Sequence, residues 1–161
     1  MMRGPRRSRA SAPRTVLFVQ RYPDGGSITG LFDLVRSLDP ARYRAVVSFR
    51  VPNAFVEEFR RDGIECVVME GESTLPAAPS TVPDGPPVAP TAPRSSSELR
   101  RELRRLIKRD VPAARHVARL VRRFDADIVH ANSDVHSDRD AVLAAWATRL
   151  PCVSSVRWIH E

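Results

Sequence analysis

From Thr15 onward, short runs of β-branched and other apolar residues alternate with amphipathic segments, and this alternation constrains the chain more than any other feature. Strands separated by helix-length crossovers can pair only in parallel, so the pattern points to an α/β domain. The first strand is Thr15 to Gln20. A turn, Tyr22-Pro23-Asp24-Gly25-Gly26-Ser27, follows it. Leu31, Leu34, Val35 and Leu38 then fall at the i, i+3, i+4, i+7 spacing of one helical face, which predicts a helix from about Ile28 to Leu38.

Pro40 ends that helix, and Ala45 to Phe49 reads as the second strand. Asn53 is placed to cap a second helix whose inward face is Phe55, Val56 and Phe59, with Gly63 at its C′ position. Glu65 to Met69 is the third strand. The segment 71–97 then holds seven of the fourteen prolines and almost no large apolar side chain, so it reads as a disordered surface insertion. Beyond it, Leu99, Leu103, Leu106 and Ile107 make one apolar face, and Val117, Leu120, Val121 and Phe124 another after Pro112. These are two helices or one kinked helix. Asp127 to Ala131 is a fourth strand, Asp138 to Arg149 a fourth helical region, and Pro151 to Val156 a fifth strand. The expected architecture has three layers around a parallel sheet of about five strands, preceded by a basic, disordered N-terminus at 1–14.

With 161 residues, the length suits one core. No apolar run approaches the ~20 residues of a membrane span, and the one after the basic N-terminus is too short for a signal peptide, so a soluble, cytoplasmic chain is expected. Cys66 and Cys152, far apart and in apolar runs, read as two buried free thiols. From Glu98 to Arg123 there are ten basic residues against three acidic ones, which accounts for the whole net charge of +7. Such a face is either a solvated surface or one attracted to an anionic membrane. Nucleic acid ranks last, because no aromatic residues interleave with the arginines.

Four places could carry chemistry. The turn at Gly25 and Gly26 follows a strand and opens a helix, where backbone amides and the helix dipole suit a phosphate or form an ordinary tight turn. It is not G-x-G-x-x-G, which disfavours a dinucleotide cofactor. His130, Asn132 and Ser133 lie where the fourth strand delivers its carboxyl end, the side on which open α/β sheets bind ligands. His136 follows in the next loop, and His116 faces away from its helix's apolar stripe. Asp125-Ala126-Asp127 and Asp138-Arg139-Asp140 have the D-x-D form used with divalent metals elsewhere, but they read better as a turn into a strand and an acidic helix start, and no metal is expected. At the C-terminus, Arg157 suits phosphate or carboxylate and His160 suits proton transfer.

The order and spacing of these features resemble the N-terminal domain of the retaining, family-4 glycosyltransferases. The matching residues are Val16 to Gln20, Gly25-Gly26-Ser27, Leu31 to Asp39, Phe59 to Ile64, Ala126 to Asn132, and Ala141 to Val153 with Arg149-Leu150-Pro151. The resemblance implies a Rossmann-like domain that forms one half of a GT-B enzyme, with acceptor on this half and nucleotide sugar mainly on the other. It assigns Gly25, Gly26 and Ser27 to the donor diphosphate, and His130 and Asn132 to the acceptor or transferred sugar. A family histidine that contacts the sugar falls at Arg157 here, with His160 three residues later. The family's E-x7-E donor motif is absent, so the chain is expected to lack a donor-binding domain of roughly 150–200 residues and to be inactive alone.

Overall fold

The computed structural model describes residues 12–23, 25–69, 96–133 and 137–155. Five strands, β1 (Arg14–Gln20), β2 (Tyr43–Phe49), β3 (Glu65–Val68), β4 (Ile128–Ala131) and β5 (Cys152–Ser154), form one sheet in the order β3-β2-β1-β4-β5. Every pairing is parallel. β1 is central, with Leu17 opposite Val46 on one side and Val129 on the other. Its residues Val16 to Val19 are all buried, which explains a continuous apolar run where a half-exposed strand would alternate.

Successive side chains of β1 feed opposite layers. Val16 and Phe18 join Val47 and Phe49 beneath α1 (Gly26–Ser37) and α2 (Phe55–Arg61), where Ile28, Leu31, Val35, Val56 and Phe59 complete the layer. Leu17 and Val19 face the other way, onto α4 (Val111–Arg123) and α5 (Arg139–Thr148). Alanines at 113, 114, 118, 141, 144 and 145 are buried in that layer, and their small side chains let α4 and α5 approach the sheet and each other closely. On the first face, Phe59 meets Phe32 and Phe49 edge to face, with ring centroids 4.9 and 5.6 Å apart.

Several sequence expectations shift. Asn53 does not cap α2: Ala54 stands at the cap, and the Asn53 amide donates to Val51 O. The helix is stopped as expected at Gly63, whose φ of 76° is accompanied by bonds from Gly63 N to Arg60 O and Ile64 N to Phe59 O. That is the two-bond ending in which glycine avoids a Cβ penalty. The thiols are not both buried. Cys66 is half-buried and burial pushes its pKa up to about 11, whereas Cys152 is exposed because β5 is an edge strand. His116 is half-buried rather than solvated, with Nε2 buried against the fold.

Of the two alternatives for the stretch after the proline-rich segment, two helices or one kinked helix, the chain forms a single continuous helix with an irregular turn before Pro112. α3 (Ser96–Arg105) runs through a π-helical turn at Leu106–Asp110 directly into α4. Pro112 stands in the first turn of α4, and Val111 N bonds five residues back to Leu106 O. Widening the helix by one residue there accommodates a proline that lacks an amide and crowds the preceding turn. No residue of α3 is buried. Among the described residues no helix is long and apolar enough to cross a membrane.

Because Phe59 fills the junction of three aromatic rings with no exposed surface, Phe59→Ala is expected to destabilise the domain by about 3–5 kcal/mol in urea unfolding. A loss below about 1 kcal/mol would show that this layer can collapse around the gap.

Candidate functional site

In this sheet the chain passes from β1 outward to β2 and β3, then crosses back to place β4 on the other side of β1. The reversal sends the connections that leave β1 and β4 to opposite faces of the sheet, and ligands of open α/β sheets bind in the crevice between them. The residues that end these two strands are Gln20 and Ala131.

Gln20 has no exposed surface, and neither does Asn132 immediately after β4. The Asn132 amide donates to Gln20 Oε1 at 2.5 Å and to Ser27 O at 2.8 Å. Gln20 Nε2 in turn donates to Tyr22 O at 2.8 Å and Ser27 Oγ at 3.1 Å. Four polar groups thus lock the start of α1 to the ends of β1 and β4. Gly25 sits just outside this knot with φ 85°, a value L residues rarely adopt, although a Cβ there would meet nothing within 4 Å. The requirement for glycine at 25 is one of backbone angle, not space. Gly26 is helical, exposed and equally uncrowded, so it carries no such requirement.

His130 lies one residue inside the strand end and is buried. Its ring lies on Phe18, centroids 4.9 Å apart, and its Nε2 is 3.3 Å from Ser155 Oγ, the residue that follows β5. It therefore faces the α1/α2 layer beneath the crevice. Arg157, His160 and His136 lie outside the described residues.

The arginines of this edge were not singled out by sequence reasoning. Arg50, the residue after β2, is almost fully buried and forms an ion pair with Asp140 in the first turn of α5. Since β2 and α5 lie on opposite sides of β1, the guanidinium crosses the sheet's carboxyl end and forms part of the crevice floor. Arg21 donates to Ser137 O, and Tyr22 Oη is 3.0 Å from Ser137 Oγ, so the β1–α1 turn is fastened to the entry of α5. Arg109 joins the group from the π turn: burial, then the neighbouring charges of Arg21, Arg105 and Arg50, pull its pKa down. The rim is cationic. An arginine after a strand is a faint sequence signal, because nothing local distinguishes Arg50 from its solvated counterparts.

Asp138, read from sequence as an acidic helix start, does stand at the N-terminus of α5. Its carboxylate turns back to accept Ser133 N–H at 2.7 Å. Its other oxygen, and one oxygen of Asp140, are buried without a hydrogen-bond partner among the described residues. Burial is the main reason the Asp138 pKa rises to about 7; the Ser133 bond opposes this, the Asp140 charge adds to it, and Arg21 and Arg50 lower it. Among the described residues no three His, Cys, Asp or Glu side chains converge as metal ligands would.

No protein-family model matches the sequence, and no curated protein matches it. Solved structures do share the fold. A glycosyltransferase from Rickettsia africae ESF-5 superposes with TM-score 0.61 at 16% identity, over 92% of this chain and 31% of that one. Anabaena Alr3699/HepE, solved in complex with UDP and glucose, gives 0.54 at 16% identity over 88% and 29%. The C-terminal domain of the PF1911 hydrogenase from Pyrococcus furiosus gives 0.54 at 10% identity over 89% and 91%. The chain spans about a third of the length of the first two. At these identities the likeness establishes the fold.

Two predictions follow from the charges. A folded-state pKa raised above the unfolded value means that the native state holds a proton the unfolded chain has lost, so Asp138 makes stability fall as pH rises from about 4 to about 7 and level off above. Asp138→Asn keeps an acceptor for Ser133 N–H and removes that slope, so the variant is expected to be the more stable protein at pH 8. Identical pH profiles for the two proteins in chemical denaturation would refute this account. Asp140→Ala removes the carboxylate that meets the buried Arg50 guanidinium and is expected to cost about 3–5 kcal/mol, read as a lowered urea midpoint.

Proposed function

We propose that this chain is the acceptor-side half of a GT-B glycosyltransferase, contributing to transfer of a sugar from a nucleotide donor to an acceptor hydroxyl with retention of configuration. The observation that carries the reading is the carboxyl edge of β1 and β4, where the connections after the two strands leave to opposite faces. There the N-terminal end of α1, opened by Gly25 at positive φ, faces the same edge as the cationic rim of Arg21 and Arg109. A helix N-terminus and guanidinium groups at one edge suit a diphosphate. The fold shared with a glycosyltransferase and with a protein solved in complex with UDP and glucose adds support.

In this proposal Gly25, Gly26 and Ser27 approach the donor's diphosphate. Asn132 and Gln20 are positioning residues: fully buried, they hold the turn rather than touch the sugar. His130 sits behind the crevice, where its bond to Ser155 orients the chain leaving β5 toward Arg157 and His160, which would reach the transferred sugar. Most of the donor's nucleotide would be held by a second α/β domain facing this one, in keeping with a chain that spans about a third of those two proteins.

A rival is a non-catalytic binding module, since a fold of this size also forms the C-terminal domain of the PF1911 hydrogenase, most of which this chain covers. Titration of the isotope-labelled chain with UDP- and GDP-sugars and with NAD, followed by amide NMR, separates the two. The expected result is weak, millimolar binding of nucleotide sugars, with shifts centred on Gly25, Gly26 and Ser27 and lost in Gly25→Val. Tight binding of the dinucleotide, or shifts confined to another face, would overturn the proposal.

A further inference from the structure

We infer that α3 and the π turn after it form a docking surface for an anionic lipid interface. This holds whatever reaction the crevice serves. Helices of a parallel α/β domain run antiparallel to the strands, so α4 begins at the carboxyl edge of the sheet, and α3, upstream of it, extends past that edge. Together α3 and the π turn add fifteen residues, or roughly 20 Å, of helix, of which only Asp110 is buried. The Glu102–Arg139 ion pair ties this overhang to the first residue of α5.

The overhang keeps an apolar stripe. Leu99, Leu103 and Ile107 are 54%, 56% and 56% exposed, spaced four residues apart on one side of the helix. Around them stand Arg100, Arg101, Arg104, Arg105 and Lys108, none of whose side chains makes a hydrogen bond or ion pair among the described residues. Of the three acids in the segment, Glu98, Glu102 and Asp110, the last is buried and Glu102 is paired with Arg139, so the cations outnumber the acids along this stretch. Large aliphatic side chains flanked by free cations are the composition of helices that lie in the plane of a bilayer, with the apolar side in the acyl boundary and the cations among the phosphates.

Charge selects this occupant over others. A second copy of the chain would bring the same five cations to the contact, and like charges facing one another oppose association. A protein surface would need several acidic partners to offset the desolvation of these groups. For nucleic acid the stripe offers no aromatic ring on which a base could stack.

The test is co-sedimentation of the 161-residue chain with phosphatidylcholine vesicles, with and without phosphatidylglycerol. Binding is expected only when the anionic lipid is present, and it should weaken as salt is raised. Replacing the stripe, Leu99→Ser with Leu103→Ser and Ile107→Ser, should lower the partition by about tenfold or more while leaving the thermal midpoint unchanged, since all three side chains are exposed. A chain lacking residues 1–11 should still sediment, which separates this helix from the basic N-terminus. Equal binding to neutral vesicles, unaltered binding by the triple variant, or a dimer in solution that the triple variant abolishes would each overturn the inference. The last result would assign the face to a second copy of the chain.

Discussion

Arg50 carries a guanidinium with almost no exposed surface across the carboxyl end of the sheet to Asp140, ninety residues later in the chain. A charge can remain there only because an opposite charge meets it, and the two halves of the fold must close in one arrangement for them to meet. β2 lies on one side of the central strand and α5 on the other, so the pair spans the point where the chain reverses direction across the sheet. The crevice above, the Arg21–Ser137 and Tyr22–Ser137 contacts and the raised pKa of Asp138 all depend on that closure.

Around this pair the polar groups are arranged by position more than by type. Gln20, Ser27 and Asn132 satisfy one another in a place where water does not reach, and an unmet amide there would be costly. Their mutual bonds fix where α1 begins, and Gly25 at positive φ lets the chain turn into that helix. The result is a rigid back wall of buried amides and a front edge of arginines. Asn132 and His130 belong to the buried wall, and the guanidinium groups stand along the edge in front of it.

Much of the fold was legible because its signals are local. Five strands and the helices between them follow from apolar runs and helical spacing, and the Gly63 stop follows from a backbone angle that glycine adopts freely. Asn53 was misread because a capping residue is recognised only by where the next helix begins, and packing of Val56 and Phe59 sets that start one residue later. Cys152 was misread because an apolar run in sequence does not reveal that its strand is the last in the sheet.

α3 and α4 separate the two sources of information most clearly. In sequence both carry an apolar stripe of similar quality. In the fold, α4 buries Ala113, Ala114, Val117, Ala118, Leu120 and Val121, while α3 buries nothing. The sequence by itself determined the alternation of strands and helices, the glycine turn after the first strand and the basic character of the long helix, since each is encoded by neighbours a few residues apart. Tertiary structure alone decided the strand order, the meeting of Arg50 with Asp140 and the exposure of the α3 stripe. A hydrophobic pattern specifies that a face seeks cover, but what lies opposite that face is set by segments distant in the chain.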